Sequence, residues 1–501
     1  MSALLALIPI LVVLLLMLAF RLGSQWAGMA GWAAGLLVAL IAFGLTWQVF
    51  WVSQVKGLLL TFNVLYVLWP SLFLYYLVDQ VGGIRAIARA MQRVIPDAGW
   101  LTLVQAWMFT GLIENVAGFG LPITIGAPML VVMGVPPLIA VAAAAIGHSW
   151  AVTTSGMALA YRTLADITAT DPAALFPAAS ILIALAILMT GFAAAWMLGQ
   201  LKHWRKILLM AAIVGASLWL SGTLGLISIS SFIAAIVGIA AGILLGTKPA
   251  GWKRDKEQSE GFLTGVLTYG FLIAIIMGVI LIKPLNTLLS SVTWTLPFPE
   301  VSTLKGFTTA AGNGYLFRFL LHPGTLITIT ALISLLVFPR IKGYRIGKSG
   351  EAFTRMVRSG IPSTLGTLFM IGLATLMEHT GMTLRLAEGV SSLVGAVYPL
   401  FAPLIGITGS FVTGSNTNSN VLFGNLQKNV AELLKLSPLV ILGAQTVGGA
   451  LGSMVAPAKL AVGTSTTAVK GREGDILRMT LPIGLVCIMV IGAAAWLILL
   501  F

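Results

Sequence analysis

At 501 residues, 58% hydrophobic and only 9% charged, with a mean hydropathy of +1.01, the chain is too apolar to be a soluble protein. Its 29 Lys and Arg against 15 Asp and Glu give a formal net charge of +14. The cations recur between apolar runs instead of forming a basic domain, which argues against nucleic acid and for cytoplasmic loops. The single cysteine, Cys487, excludes a disulfide within the chain.

In chain order, the apolar run Leu4–Phe20 has no Lys or Arg before it and no small-residue cleavage site after it. It reads as a first helix rather than a removed signal peptide. Runs such as Gly31–Leu45 and Ala179–Leu198 approach or reach the ~20 residues that cross a bilayer. The expected fold is all-α and polytopic, with about 12 such spans and two re-entrant hairpins. Placing Arg21 inside puts Arg85, Arg89 and Arg93 and the segments Lys202–Lys206, Lys248–Lys256, Arg340–Arg358 and Lys470–Arg478 inside too, with both termini external. That count holds only if two regions dip into the membrane and return.

Those regions are Gly111–Pro122 and Gly409–Asn420. Each lies in apolar surroundings yet is crowded with glycine, hydroxyls, amides or an acid. Such sequence at membrane depth must be buried in protein or line a cavity. Two copies in corresponding positions point to a transporter's binding site. The halves repeat accordingly. Scaffold helices occupy 1–56, and a first repeat occupies 57–178 with its hairpin at about 98–133. Central helices fill 179–350, a second repeat fills 351–470 with its hairpin at about 396–433, and a last helix fills 471–501. The charge count enters the copies from opposite faces, as an inverted repeat does. Between them, Leu296–Gly314 reads as an irregular external segment, with Pro297 and Pro299 as breakers.

Within the first hairpin Glu114 is the only acid, and an ionisable group inside a membrane is costly. It carries a proton or, alternatively, caps a broken helix. Gly118, Phe119 and Gly120 allow a tight reversal and close ligand approach, with Asn115 beside them. His148, with Ser149, Thr153, Thr154 and Ser155, can bind a carboxylate or a proton, or simply pack against a backbone carbonyl. In the second hairpin Thr413, Ser415, Asn416, Thr417, Asn418, Ser419 and Asn420 offer uncharged donors for an anion, and freed carbonyls there can hold a cation. Gln445 and Thr446 are the counterparts of His148 and Ser149. Glu378-His379 reads as a solvated pair at a helix end, and Lys428 and Lys435 as snorkelling or external. No nucleophile–base pair, metal cluster or phosphate loop is visible, so an enzyme is disfavoured and no cofactor is called for.

Glu114-Asn-Val-Ala-Gly-Phe-Gly-Leu-Pro122 resembles the Glu-Gly-Ala-Ala-Gly-Phe-Gly-Ala-Pro signature of the bacterial lactate permease family. Thr413-Gly-Ser-Asn-Thr-Asn-Ser-Asn420 with Leu422-Phe423 is similar to its Thr-Gly-Ser-Asp-Thr-Ser-Ser-Asn-x-Leu-Phe, and Gly448-Gly449, Met454 and Pro457 fit its downstream pattern. The resemblance implies a proton-coupled symporter of the bacterial inner membrane for small 2-hydroxy monocarboxylates such as L-lactate or glycolate. It also implies kinship with elevator-type carriers, which are often homodimers. Asn416 stands where the family has Asp, and His148-Ser149 and Gln445-Thr446 stand where it has Asn-Thr. Ser415-Asn416-Thr417 resembles the hairpin tips of sodium-coupled dicarboxylate carriers, so sodium at these residues is the alternative coupling ion. An anion channel is the alternative of a different class.

Overall fold

The computed structural model describes residues 2–20, 22–83, 86, 95–116, 120–246, 256–467, 469 and 472–500. It begins with α1 (Ser2–Leu18), α2 (Ser24–Ala42) and the 34-residue α3 (Trp47–Gln80). A first helix–turn–helix follows, α4 (98–116, with a π-helical turn at Gln105–Phe109) and α5 (Leu121–Val132). Then come α6 (Pro137–His148) and α7 (Ser155–Ile167), separated by a break that bends the path by 58°. The centre holds α8 (Pro172–Met197), α9 (Trp204–Ser221), α10 (Ser230–Gly246), α11 (Lys256–Leu281) and the short α12 (Lys283–Ser290). The last part runs through α13 (Pro323–Leu336), α14 (Ser349–His379) and α15 (Met382–Val394). A second helix–turn–helix, α16 (Tyr398–Thr413) and α17 (Asn416–Leu433), precedes α18 (Pro438–Gly452), α19 (Pro457–Thr466) and α20 (Glu473–Ile498). Thus a long helix, a helix–turn–helix and a broken helix occur in the same order twice.

Among the described residues ten helical stretches are long and apolar enough to cross a membrane, or up to eleven if the bent pair counts as one span. The expected count is about 12 spans beside two hairpins, and α5 falls in the first of those hairpins. The 12-residue α5 reaches only about 18 Å at 1.5 Å per residue, well under a bilayer's hydrocarbon core. Several expectations fall on residues outside those described: Arg21, Arg85, Arg89, Arg93, Gly118, Phe119, Lys470 and most of Lys248–Lys256.

Local chemistry sets the ends of these helices. Asp97 caps α4 by accepting from Trp100 N at 3.0 Å, and Asp171 caps α8 by accepting from Ala173 N and Ala174 N. Gly120 (φ +84°) and Gly414 (φ +70°) take the left-handed conformation at the two reversals, which glycine alone adopts without strain. The Trp100 N–H bond holds the half-exposed Asp97 carboxyl below its usual range, helped against burial by His203 at 3.5 Å. A lowered carboxylate pKa contributes stability that is complete above the ordinary range of about 4 and disappears as pH falls through the lowered value. Thermal melts of wild type should therefore soften below about pH 4 in part through this cap, and Asp97→Asn should flatten that component.

The core is held by small residues. The stretch Pro438–Thr464 has 94% of its apolar window buried, so α18 is the central helix. Its glycines bring backbones together: a Cβ on Gly448 would strike the Pro403 carbonyl of α16, and one on Gly443 would lie 3.2 Å from Ala179 N of α8. Likewise a Cβ on Gly147 of α6 would strike the Ala106 carbonyl of α4. The other side of the molecule is built on α3 packed along α14, where Trp69 Nε1 donates to Thr364 Oγ1 at 3.1 Å.

Two expectations are corrected here. Residues 293–318 are not wholly irregular: six two-residue strands pair antiparallel as three short two-stranded sheets. These are β1 (Thr293–Trp294) with β6 (Phe317–Arg318), β2 (Pro297–Phe298) with β5 (Gly312–Asn313), and β3 (Val301–Ser302) with β4 (Thr308–Thr309). Burying Phe298, Val301 and Phe317 against the helices pins the register, while Pro297 and the glycines keep each strand short. His379 is not solvated either. It is buried, with Nδ1 on the Thr375 carbonyl and Nε2 3.1 Å from Lys56 Nζ.

Candidate functional site

The polar stretches of both helix–turn–helix units meet in one cavity of about 80 Å³. A single water needs about 10–15 Å³ by this kind of measure, so the space admits a solute of several heavy atoms. Val67, Leu68 and Ser71 of α3 form one wall. Glu114, Ser155, Gly156, Ser415, Asn416, Thr417 and Lys459 form the others. The cavity therefore lies where the two helix–turn–helix units face the long helix α3.

Glu114 ends α4 just before the reversal and is 3% exposed. Ser155 Oγ donates to its Oε1 at 3.3 Å. Its Oε2 faces His148 Nε2 at 4.0 Å, and neither atom has a hydrogen-bond partner among the described residues. His148 Nδ1 lies 2.9 Å from the Ala144 carbonyl, which only accepts, so Nδ1 carries the ring proton of the neutral side chain. That leaves two orphan acceptors 4.0 Å apart. One proton placed between them would convert two orphan acceptors into a donor and an acceptor. His148 is fully buried behind Glu114 and is not part of the cavity wall.

Opposite Glu114, the N-terminus of the 18-residue α17 opens on the cavity. Ser415 is its cap, accepting from Asn418 N at 3.3 Å. The amides of the first helical residues, Asn416 and Thr417, have no partner one turn back and favour negative charge in front of them. The polar stretch Thr413–Asn420 is mostly helix: only Gly414 and Ser415 lie between α16 and α17. Its side chains divide their work. Asn416 donates from Nδ2 to Thr446 O at 3.1 Å and Oγ1 at 3.4 Å. Asn420 donates to Ala160 O and to Thr446 Oγ1, both at 3.0 Å, and Thr153 donates to Thr446 O at 3.3 Å. Thr446 is therefore the knot that ties α17, α18 and the first repeat's break together.

The remaining candidates are engaged away from the cavity. Thr413 bonds Gly409 O, Ser419 bonds Gly406 O, and Ser149 bonds Ile146 O. Gln445 donates to Ser419 Oγ at 3.2 Å and accepts from Gln427, and Asn418 accepts from Thr367. Asn115 accepts from Ser231 at 2.6 Å, and Thr154 is buried with its hydroxyl unpartnered among the described residues. Lys428 donates to Thr168 O at 2.7 Å rather than reaching outward. The backbone of Gly156, Met157 and Ala158 takes left-handed φ values of 53°, 63° and 59°. For Met157 and Ala158 that costs about 1–3 kcal/mol each, the kind of strain kept at working sites.

Sequence reasoning passed over Lys459. The signal is present, since Lys459 lies inside the apolar span Pro438–Val462, where a charge is costly. It also passed over a second polar group. Asn63 of α3 donates to Asp166 of α7 at 2.9 Å and contacts His322 Nε2 at 2.6 Å.

The family model described as L-lactate permease matches residues 2–501. The chain belongs to the L-lactate permease family. It is 28% identical to an L-lactate permease of Streptococcus iniae, with 87% of this chain and 92% of that one covered. It is 25% identical to the glycolate permease GlcA of Escherichia coli (98% and 94% covered) and 24% identical to an L-lactate permease of Bacillus subtilis (96% and 92%). A solved structure of Neisseria gonorrhoeae MtrF, titled as illuminating a class of antimetabolite efflux pumps, superposes over 87% of this chain and 80% of that one. Its TM-score is 0.44 at 16% identity, which supports no conclusion here. Membership of a permease family together with ten apolar helices makes this chain a multi-pass membrane transporter.

Within this lactate-permease relative, the geometry explains the amide at Asn416. A carboxylate there would face the Thr446 carbonyl and could not donate to it. Asn416→Asp should cost at least about 2 kcal/mol at neutral pH. Protonation restores a donor, so the loss should shrink as pH falls, read as melting temperature against pH in detergent.

Proposed function

We propose that the protein imports a small 2-hydroxy monocarboxylate, L-lactate or glycolate, together with a proton. The substrate class follows the names of the relatives, and the size and polarity of the cavity agree with it. The observation that carries the coupling is the pair of orphan acceptors Glu114 Oε2, on the wall of the cavity, and His148 Nε2, buried behind it, with a helix N-terminus on the cavity's other side. The helix end and the hydroxyls of Ser155, Ser415 and Thr417 receive the carboxylate and the 2-hydroxyl. The proton enters between Glu114 and His148. The twofold order of elements supports an inverted repeat working by alternating access, the two reversals moving against α3 and α14.

Sodium coupling is the second reading, and one observation favours it. Among the described residues Ser410 Oγ, Asn416 Oδ1 and Asn420 Oδ1 are buried without hydrogen-bond partners on α16 and α17, an oxygen-only set of the sort that holds a hard cation.

Uptake of labelled L-lactate and glycolate into proteoliposomes decides between them. Accumulation under an inward proton gradient alone is expected. Accumulation under a sodium gradient alone would replace the proton reading, and no uptake of either acid would overturn the substrate class.

A further inference from the structure

We infer that Lys459 is the residue that holds the substrate's carboxylate and, resting on the function just proposed, that it fixes coupling at one proton per anion. Lys459 is 7% exposed and lines the same cavity as Glu114. Its stem runs past Gly120, where an added Cβ would stand 3.9 Å from its Cγ. Among the described residues its ammonium makes no hydrogen bond and no ion pair within 4.0 Å. A buried cation with no hydrogen bond or close ion pair is expensive even with Glu114 across the same cavity. Helix stability does not account for it, because Lys459 sits in the first turn of α19, where positive charge opposes the helix dipole. Both penalties are relieved by an anion in the cavity, between the ammonium and the N-terminus of α17.

Charge balance then gives the stoichiometry. The described groups that face the cavity with charge are Glu114 from α4 and Lys459 from α19; His148 from α6 stands behind Glu114, and α3, α7 and α17 contribute none. When empty, an ionised Glu114 offsets Lys459 and the site is neutral. A monocarboxylate adds one negative charge, and a proton taken up by the Glu114–His148 pair cancels it. Empty and loaded sites are then both neutral, and moving either through the low-dielectric centre of the membrane avoids transferring net charge. An anion without a proton, or a proton without an anion, leaves a buried net charge.

The test uses purified full-length protein: L-lactate and lactamide binding by calorimetry, and lactate uptake in proteoliposomes with a clamped potential. Wild type is expected to bind lactate and not the neutral amide. Its gradient-driven accumulation should be unchanged by an imposed potential of about 100 mV, which would shift it about 50-fold if one net charge moved. Lys459→Gln should weaken lactate binding about 100-fold and Lys459→Arg, which keeps the charge, less than about tenfold. The double variant E114Q/K459Q removes both buried charges and so guards against misfolding. A folded double variant that no longer binds lactate supports the assignment, because E114Q alone retains the cation. Wild-type binding in Lys459→Gln, or a strong potential dependence, would overturn the inference while the proposed function stands. A wild type that neither binds nor carries lactate or glycolate would overturn both.

Discussion

Glu114→Gln is expected to abolish accumulation of lactate under a proton gradient while sparing lactate–lactate exchange. Glutamine copies the shape of the protonated acid: its Oε1 still accepts from Ser155, and its Nε2 can donate to the lone pair of His148 Nε2. The variant is thus fixed in the state that the substrate and proton together create. Exchange needs only that state, whereas net uptake requires the empty site to return with Glu114 ionised. A gradient of about two pH units is worth about 100-fold in accumulation for one coupled proton, and the variant should lose all of it. Counterflow of labelled lactate in the same liposomes shows whether the protein remains folded and competent. Accumulation at the wild-type level in Glu114→Gln would remove this residue from the coupling mechanism and leave the oxygens of Ser410, Asn416 and Asn420 as the place to look.

The second large effect concerns packing. Gly448→Ala places a methyl group on the Pro403 carbonyl and 2.7 Å from the Pro403 Cα, in a contact between two backbones. Backbone does not step aside as a flexible side chain would, so α18 and α16 must separate. Overpacking of a tight core costs about 1–3 kcal/mol. Here the displaced helix also carries Thr446, to which Asn416, Asn420 and Thr153 are bonded, so loss of substrate binding should accompany the loss of stability. Gly278→Ala in α11 is the control, since a Cβ there meets nothing within 4 Å. Melting temperatures of the two variants in detergent should diverge sharply. Equal melting temperatures would mean that α16 and α18 are not in the contact described.

Membrane location, the long helices and the two polar reversals were all legible in the amino-acid order, because each follows from local composition. Twenty apolar residues cannot face water, and glycine, amides and hydroxyls cannot face lipid. The same rule marks Glu114 without any structure. The extent of each element was less legible: Thr413–Asn420 is polar by composition, yet Asn416–Asn420 is helical because Ser415 caps it and buried partners satisfy its side chains. In the short β-sheets, local breakers such as Pro297 and Gly312 suggest irregularity, and the register comes from burying Phe298 and Phe317 against helices distant in sequence.

What the chain order leaves open is which polar groups face the cavity and which face each other. Gln445 and Ser419 looked as eligible as Ser415, but helix packing turns them into one another, and it turns His148 behind Glu114 rather than into the cavity. Lys459, 345 residues from Glu114 in sequence, joins it only because the second repeat's broken helix folds back on the first repeat's reversal. Composition thus determines that a polar site lies within the membrane, since solvation is a property of each segment. Tertiary structure decides the charge of that site, since charge balance depends on which segments meet.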